Sequence, residues 1–261
     1  MSDAEPILLR HRDQRGVYTF TLNTPKTFNA LSEAMLTALS AALDAVARDE
    51  HARVLILAGA GKAFCAGHNL KEMKANPTQA YYQQLFAQCS RMMMQIQRLP
   101  VPVIAKVQGL ATAAGCQLVA QCDLAVAAAD ARFGVNGIDV GLFCATPSVP
   151  LVRNVPAKVA MEMLLTGEFI SAHEAQARGL VNRVARAEQL DCAVDALVQA
   201  ILAKPRLAIA MGKTVFYQHR ETGIEAAYQL AGQSMACNMA HEVAQEGVQA
   251  FIDKRTPVWP T

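Results

Sequence analysis

Charge is scarce in this sequence. Asp, Glu, Lys and Arg make up 18% of its 261 residues and nearly cancel to a net +2, while 52% of the residues are hydrophobic. That balance suits a well-packed globular enzyme or an oligomer and leaves no electrostatic case for a nucleic-acid partner. No Cys-x-x-Cys pair occurs: the seven cysteines, an odd number, are scattered at 65, 89, 116, 122, 144, 192 and 237. The spacing argues against a disulfide framework and a zinc site and reads as reduced thiols. No apolar run reaches the length of a membrane span, so membrane insertion is not expected. The N-terminal "MSDAEPILLRHRDQ" has neither a hydrophobic segment nor an acid-free, Arg-rich amphipathic stretch, and no targeting peptide is expected in it. A G-x-G-x-x-G turn, a P-loop and a G-x-S-x-G elbow are also missing. His11, His51, His173, His219 and His241 are dispersed, so no metal site is expected.

What is present has a clear order. Ile7–Leu9 and Gly16–Leu22 read as a strand pair, and Ser32 caps a helix with Leu36, Leu39, Leu43 and Val46 at helical spacing. "RVLILAG", "VIAKVQ" and "DLAVAAA" read as buried strands separated by helices, the longest from about Pro77 to Arg98. Its methionine run, Met92–Met94, reads as core or interface packing. Helices then dominate: Pro147–Leu165, Ser171–Arg178 with a Ser171/Glu174 capping box, Glu188–Ala203, and three more to Ile252. Strands with crossover helices followed by a helical tail place the chain in the α/β class.

The stretch "QGLATAAGCQLVAQCD" (Gln108–Asp123) asks for an explanation. Small residues between a strand and a helix let a ligand approach the backbone, and the first N–H groups of a helix attract negative charge. Alone, it reads first as a tight packing corner. It is joined by "NTPKTFNALS" (Asn23–Ser32), "GKAFCAGHNLKEM" (Gly61–Met73), the continuation "LAVAAADARFG" with a Gly at 141, and the tail "EGVQAFIDKRTPVW". Together these segments resemble the enoyl-CoA hydratase/isomerase, or crotonase, superfamily over nearly the whole chain. Within it, "GHNL" and "GVNGIDVGLFC" are similar to the "GHDL" and "GVNVGLFC" of the branch called enoyl-CoA hydratase domain-containing protein 3.

The resemblance implies a crotonase-like spiral of ββα turns over residues 1–203, holding an acyl-CoA site. It implies a helical region over 204–261 that makes trimers, often paired into hexamers, and closes over CoA. It places an oxyanion hole for the thioester oxygen at the backbone N–H groups of Ala66 and Ala114, the latter standing where the family usually has Gly. Preorganised donors of this kind are commonly the largest catalytic contribution. CoA contacts carry over to Lys26, Thr27, Ala63, Ala66, Leu70, Phe251 and Lys254, the last two often acting from a neighbouring subunit. Lys26 and Lys254 read equally as solvated lysines. The ligand implied is an acyl-CoA thioester, with CoA as part of the substrate and no other cofactor.

The sequence departs from the family where hydration chemistry sits. Hydratases place two carboxylates at the positions of Gln117 and Gly137, one to activate water and one to deliver a proton. Gln117 hydrogen-bonds a water without taking its proton, and Gly137 has no side chain. Asp139 lies two residues on and reads as an exposed or capping residue, while Glu72 and Glu162 read as helix-surface groups. Asn69 replaces the family's usual Asp. His68, one residue past Gly67, is similar to a His in the family's decarboxylase branch, which also lacks the hydratase pair. It reads equally as a residue hydrogen-bonded to Asn69 or backbone. Position 144, here Cys, faces the acyl pocket in such relatives, and an inert buried thiol is the plainer reading. The expected function is an acyl-CoA enzyme that stabilises a thioester enolate without efficient hydration, decarboxylation of a malonyl-type CoA being the leading chemistry. A non-catalytic acyl-CoA binder and a weak hydratase are the alternatives. The expected setting is the bacterial cytosol, with mitochondria second.

Overall fold

In the computed structural model, which describes residues 5–260, the strands form two sheets. In chain order the elements are β1 (Leu8–Arg12), β2 (Val17–Leu22), α1 (Glu33–Arg48), β3 (Val54–Gly59), β4 (Ala63–Cys65), α2 (Leu70–Ala75), α3 (Gln79–Arg98) and β5 (Val103–Val107). Then come β6 (Leu110–Thr112), α4 (Ala114–Gln121), β7 (Leu124–Ala128), β8 (Arg132–Gly134), α5 (Ala145–Leu151), α6 (Ala157–Thr166), β9 (Ile170–Ser171) and α7 (Ala172–Ala177). The chain ends with β10 (Arg183–Ala185), α8 (Leu190–Leu202), α9 (Arg206–His219), α10 (Ile224–Ala240) and α11 (Glu242–Ile252). One sheet has the order β1-β2-β3-β5-β7-β10 and the other β4-β6-β8-β9. The first strand of each pair β3/β4, β5/β6 and β7/β8 joins the large sheet and the second joins the small one, so each repeat climbs one step in both. This is the ββα spiral.

Local signals set the element ends. The Ser32 hydroxyl accepts from Met35 N–H at 3.1 Å, and the Ser171/Glu174 capping box forms in full. The expected helix Pro147–Leu165 is instead two, α5 and α6, with Pro156 at the break because proline lacks the N–H a continuing helix needs. The main core lies between the two sheets and under α1 and α3, where Leu36, Leu39, Leu43, Met92 and Ile96 are buried. A smaller cluster joins Val54, Ile104 and Val126 to Leu190, Val194 and Val198 of α8 on the opposite face.

One buried polar residue ties the site loops together. Asn29, fully buried at φ 55°, accepts from Thr24 N–H at 2.9 Å and donates to the carbonyls of Ala60 (2.8 Å) and Ala63 (2.7 Å). Replacing it by Ala strands the Thr24 N–H and the Ala60 carbonyl, each costing about 1–3 kcal/mol when buried and unpaired, while the Ala63 carbonyl keeps its bond from Gln108 Nε2. Asn29→Ala is therefore expected to lose at least about 2 kcal/mol of stability. Urea denaturation checks this, and an unchanged midpoint would contradict it.

Candidate active site

The loop after β4 and the N-terminus of α4 meet at a close backbone approach. Gly67, at φ 86°, leaves no room for a side chain: a Cβ there would lie 2.8 Å from Ala113 Cβ and 3.1 Å from Ala114 N. Ala113, just before α4, has φ 51° and ψ −123°, a conformation that L-residues rarely adopt and that costs about 1–3 kcal/mol. That strained turn aims the first N–H of α4 outward. Among the described residues the N–H groups of Ala114 and His68 have no acceptor. The Ala66 N–H, by contrast, donates to the Phe28 carbonyl at 3.0 Å. The expectation that Ala66 contributes an oxyanion donor is corrected accordingly: its N–H is already engaged inside the fold, and the free one lies two residues on.

These groups border a cavity of about 310 Å³ whose wall includes Ala66, His68, Leu70, Phe86, Thr112, Ala114, Asn136, Gly137 and Cys144. The wall contains no Asp, Glu, Lys or Arg. Its two titratable side chains are His68 and Cys144. Both ring nitrogens of His68 are buried without a hydrogen-bond partner, and the ring meets Phe86 edge-on at 5.4 Å. Burial pulls its pKa below the usual imidazole value, so the ring is neutral at physiological pH. Of the two partners considered for the ring, Asn69 or backbone, Asn69 makes no bond to it. Asn69 instead caps α2, its Oδ1 accepting from Lys71 N–H at 3.1 Å and Glu72 N–H at 3.4 Å.

Gln117 sits one turn into α4 and is not part of the cavity wall. It is 4% exposed, and its Oε1 is buried without a partner. At Gly137 a Cβ would meet the Leu142 carbonyl oxygen at 2.4 Å and Cys144 Sγ at 2.7 Å. The place of the absent side chain is therefore filled. Gly137 N–H donates to Cys144 Sγ at 3.3 Å, and burial pushes the Cys144 thiol up from its ordinary value. Thr112 Oγ1 donates to Asn136 Oδ1 on the same wall. Asp139 is exposed and lies beside Gly167, off the wall. Glu72 accepts from Glu33 N–H at 3.2 Å and Glu162 is exposed near Arg178, so neither reaches the cavity.

The nucleotide expectations divide. Lys26 and Thr27 are exposed in a 3-10 turn, and Leu70, 56% exposed, stands at the cavity mouth. Ala63 is buried, and its carbonyl accepts from both Asn29 Nδ2 and Gln108 Nε2 (2.7 and 2.9 Å). Phe251 and Lys254 are not brought to this cavity within one chain; Phe251 borders a separate one with Trp259 and Val248. Thr112, Asn136 and Phe86 escaped the sequence reading. The first two are adjacent to motif positions, whereas nothing in the periodicity of α3 marks Phe86 from its neighbours.

A family model described as enoyl-CoA hydratase/isomerase matches residues 12–261. A mouse protein named enoyl-CoA hydratase domain-containing protein 3, mitochondrial, is 45% identical over 258 residues, covering 99% of this chain and 86% of that one. The crystal structure of an enoyl-CoA hydratase from Mycobacterium smegmatis superposes with a TM-score of 0.97 at 61% identity, covering 98% of this chain and all of that one. The structure of human enoyl-CoA hydratase domain-containing protein 3 gives 0.94 at 42% identity, covering 97% and 100%. The expected bacterial cytosol is overturned by the names of the mouse, rat, Xenopus and human relatives, all mitochondrial.

Proposed function

The chain belongs to the enoyl-CoA hydratase/isomerase family, and from that premise we propose that it binds an acyl-CoA thioester and stabilises its enolate by chemistry other than efficient hydration. The observation that carries this reading is a cavity bordered by two free backbone N–H groups, of His68 and Ala114, and by no carboxylate. The two donors take the thioester oxygen as it gains charge; in a water-poor site such donors are worth far more than in water. Decarboxylation of a malonyl-type CoA fits best. When CO2 leaves, the electrons of the broken C–C bond become the enolate directly, so no base is required. A carboxylate set against an apolar wall without a cation is also poorly solvated, which favours its loss. The His68 imidazole donates a hydrogen bond that orients it. Lys26, Thr27 and Leu70 border the nucleotide end. α10, with no buried residue and with Ile224, Tyr228 and Met235 at least 74% exposed, belongs with α9 and α11 to a trimer or hexamer interface that brings Phe251 and Lys254 over a neighbour's CoA.

The test is a panel of acyl-, enoyl- and malonyl-type CoA thioesters followed by mass spectrometry and thermal unfolding. Binding raises the melting temperature, because a ligand selective for the folded state stabilises it. His68→Ala keeps the backbone donor and removes the imidazole, and is expected to lower malonyl-type turnover roughly 10²-fold while leaving CoA affinity unchanged. Thermal protection without turnover of any thioester would favour the second reading, a non-catalytic acyl-CoA binder, for which the filled space at Gly137 speaks. No thermal shift with any thioester at millimolar concentration would remove the ligand itself.

A further inference from the structure

Resting on the enolate reading above, we propose that the Cys144 thiol is the proton donor that quenches the enolate at its α-carbon. The placement is specific. Cys144 Sγ stands 2.7 Å from where a Cβ of residue 137 would begin, the position from which the hydratases of this family deliver a proton by carboxylate. The sulfur thus occupies the start of the missing side chain and faces the same cavity.

The chemistry of the wall leaves it this role. Once the carboxylate has gone, the enolate carbon needs a proton, and two wall side chains are titratable, His68 and Cys144. Neutral imidazole is a very weak acid, and burial keeps His68 neutral. Burial acts oppositely on the thiol and keeps its proton in place at physiological pH. Both His68 ring nitrogens are buried without partners on this same wall, a second sign that it is arranged around an absent polar ligand. The Cys144 sulfur already accepts from Gly137 N–H at 3.3 Å, so its own S–H is free to point at a ligand.

The step balances. The α-carbon takes the S–H proton and forms a C–H bond, and the sulfur keeps the electron pair as a thiolate. Gly137 N–H stabilises that thiolate, which recovers a proton from water. No oxidant, reductant or second substrate is consumed.

Deuterium stereochemistry tests this. Malonyl-CoA bearing one α-methyl group, decarboxylated in D2O, gives a propionyl thioester with deuterium at a new stereocentre. The native protein, its S–H exchanged to S–D, is expected to give one configuration. Cys144→Ser keeps an acceptor for Gly137 N–H but is a far weaker acid, and Cys144→Ala removes both functions. Positioned proton donors contribute roughly 10²–10⁴-fold, so in both variants water competes for the enolate and the deuterium becomes racemic. Release of CO2 precedes protonation, so the configuration of the deuterium, rather than the rate of CO2 release, separates a proton donor from a packing residue. A single, unchanged configuration from Cys144→Ala overturns the assignment while leaving the enolate reading intact. Absence of CO2 release from the native protein overturns the enolate reading, and the role of Cys144 with it.

Discussion

Crotonyl-CoA is expected to be hydrated at least about 10²-fold more slowly by this protein than by a hydratase with two carboxylates, because a positioned acid or base contributes roughly 10²–10⁴-fold. The cavity wall offers no carboxylate, and Gln117, which is not part of it, cannot accept a proton from water. Loss of the enoyl ultraviolet absorbance measures the rate directly. Gln117→Glu alone is expected to recover little, since an acid and a base that act as a unit do not contribute separately. Adding Gly137→Glu does not complete the pair. A side chain there would collide with the Leu142 carbonyl at 2.4 Å and with Cys144 Sγ at 2.7 Å, and the first of these is backbone. The double variant is therefore expected to lose stability before it gains activity. Turnover of the native protein on crotonyl-CoA comparable to that of ordinary hydratases would refute the reading.

The second large effect lies far from the cavity. Lys213 of α9 donates to the carbonyls of Ile96 (3.0 Å) and Val101 (2.9 Å) and to Asp123 Oδ2 at 2.6 Å. Tyr217 OH and Val103 N–H complete the hydrogen bonding of that carboxylate at 2.8 and 2.7 Å. The pair is nearly dry, with side-chain exposures of 7% for Lys213 and 15% for Asp123. Burial pulls the Lys213 pKa down and Asp123 opposes the shift. Removing one member of such a pair leaves an uncompensated buried charge, which costs about 3–5 kcal/mol. Lys213→Met is expected to destabilise by that amount, and Lys213→Met with Asp123→Leu by less than the sum of the two single changes. Thermal melts of the four proteins of the cycle decide. Additive losses would show that the two residues do not act together in holding α9 to the core.

Much of the fold was legible in the chain. Buried strands such as "RVLILAG" and "VIAKVQ", the Ser32 and Ser171 caps, and the crossover helices between strands follow from hydrophobic period and capping chemistry, which are local. So is the strand-to-helix corner at Ala111–Gly115, whose small residues announce a backbone that something must approach. The break at Pro156 is equally local, because proline cannot continue the preceding helix.

By itself the sequence determined the ββα order, the family, and the absence of a carboxylate at 117 and 137. Only the tertiary structure decided which groups remain free to act. Phe28 and Ala66 are distant in sequence, and no periodicity says that the carbonyl of one takes the N–H of the other. The same holds for Asn29 bridging Thr24, Ala60 and Ala63, for Cys144 filling the space beside Gly137, and for Lys213 reaching Asp123. The reason is physical. Propensity and pattern act over one or two turns of chain, whereas the satisfaction of a hydrogen bond or the filling of a void depends on what folding brings beside it.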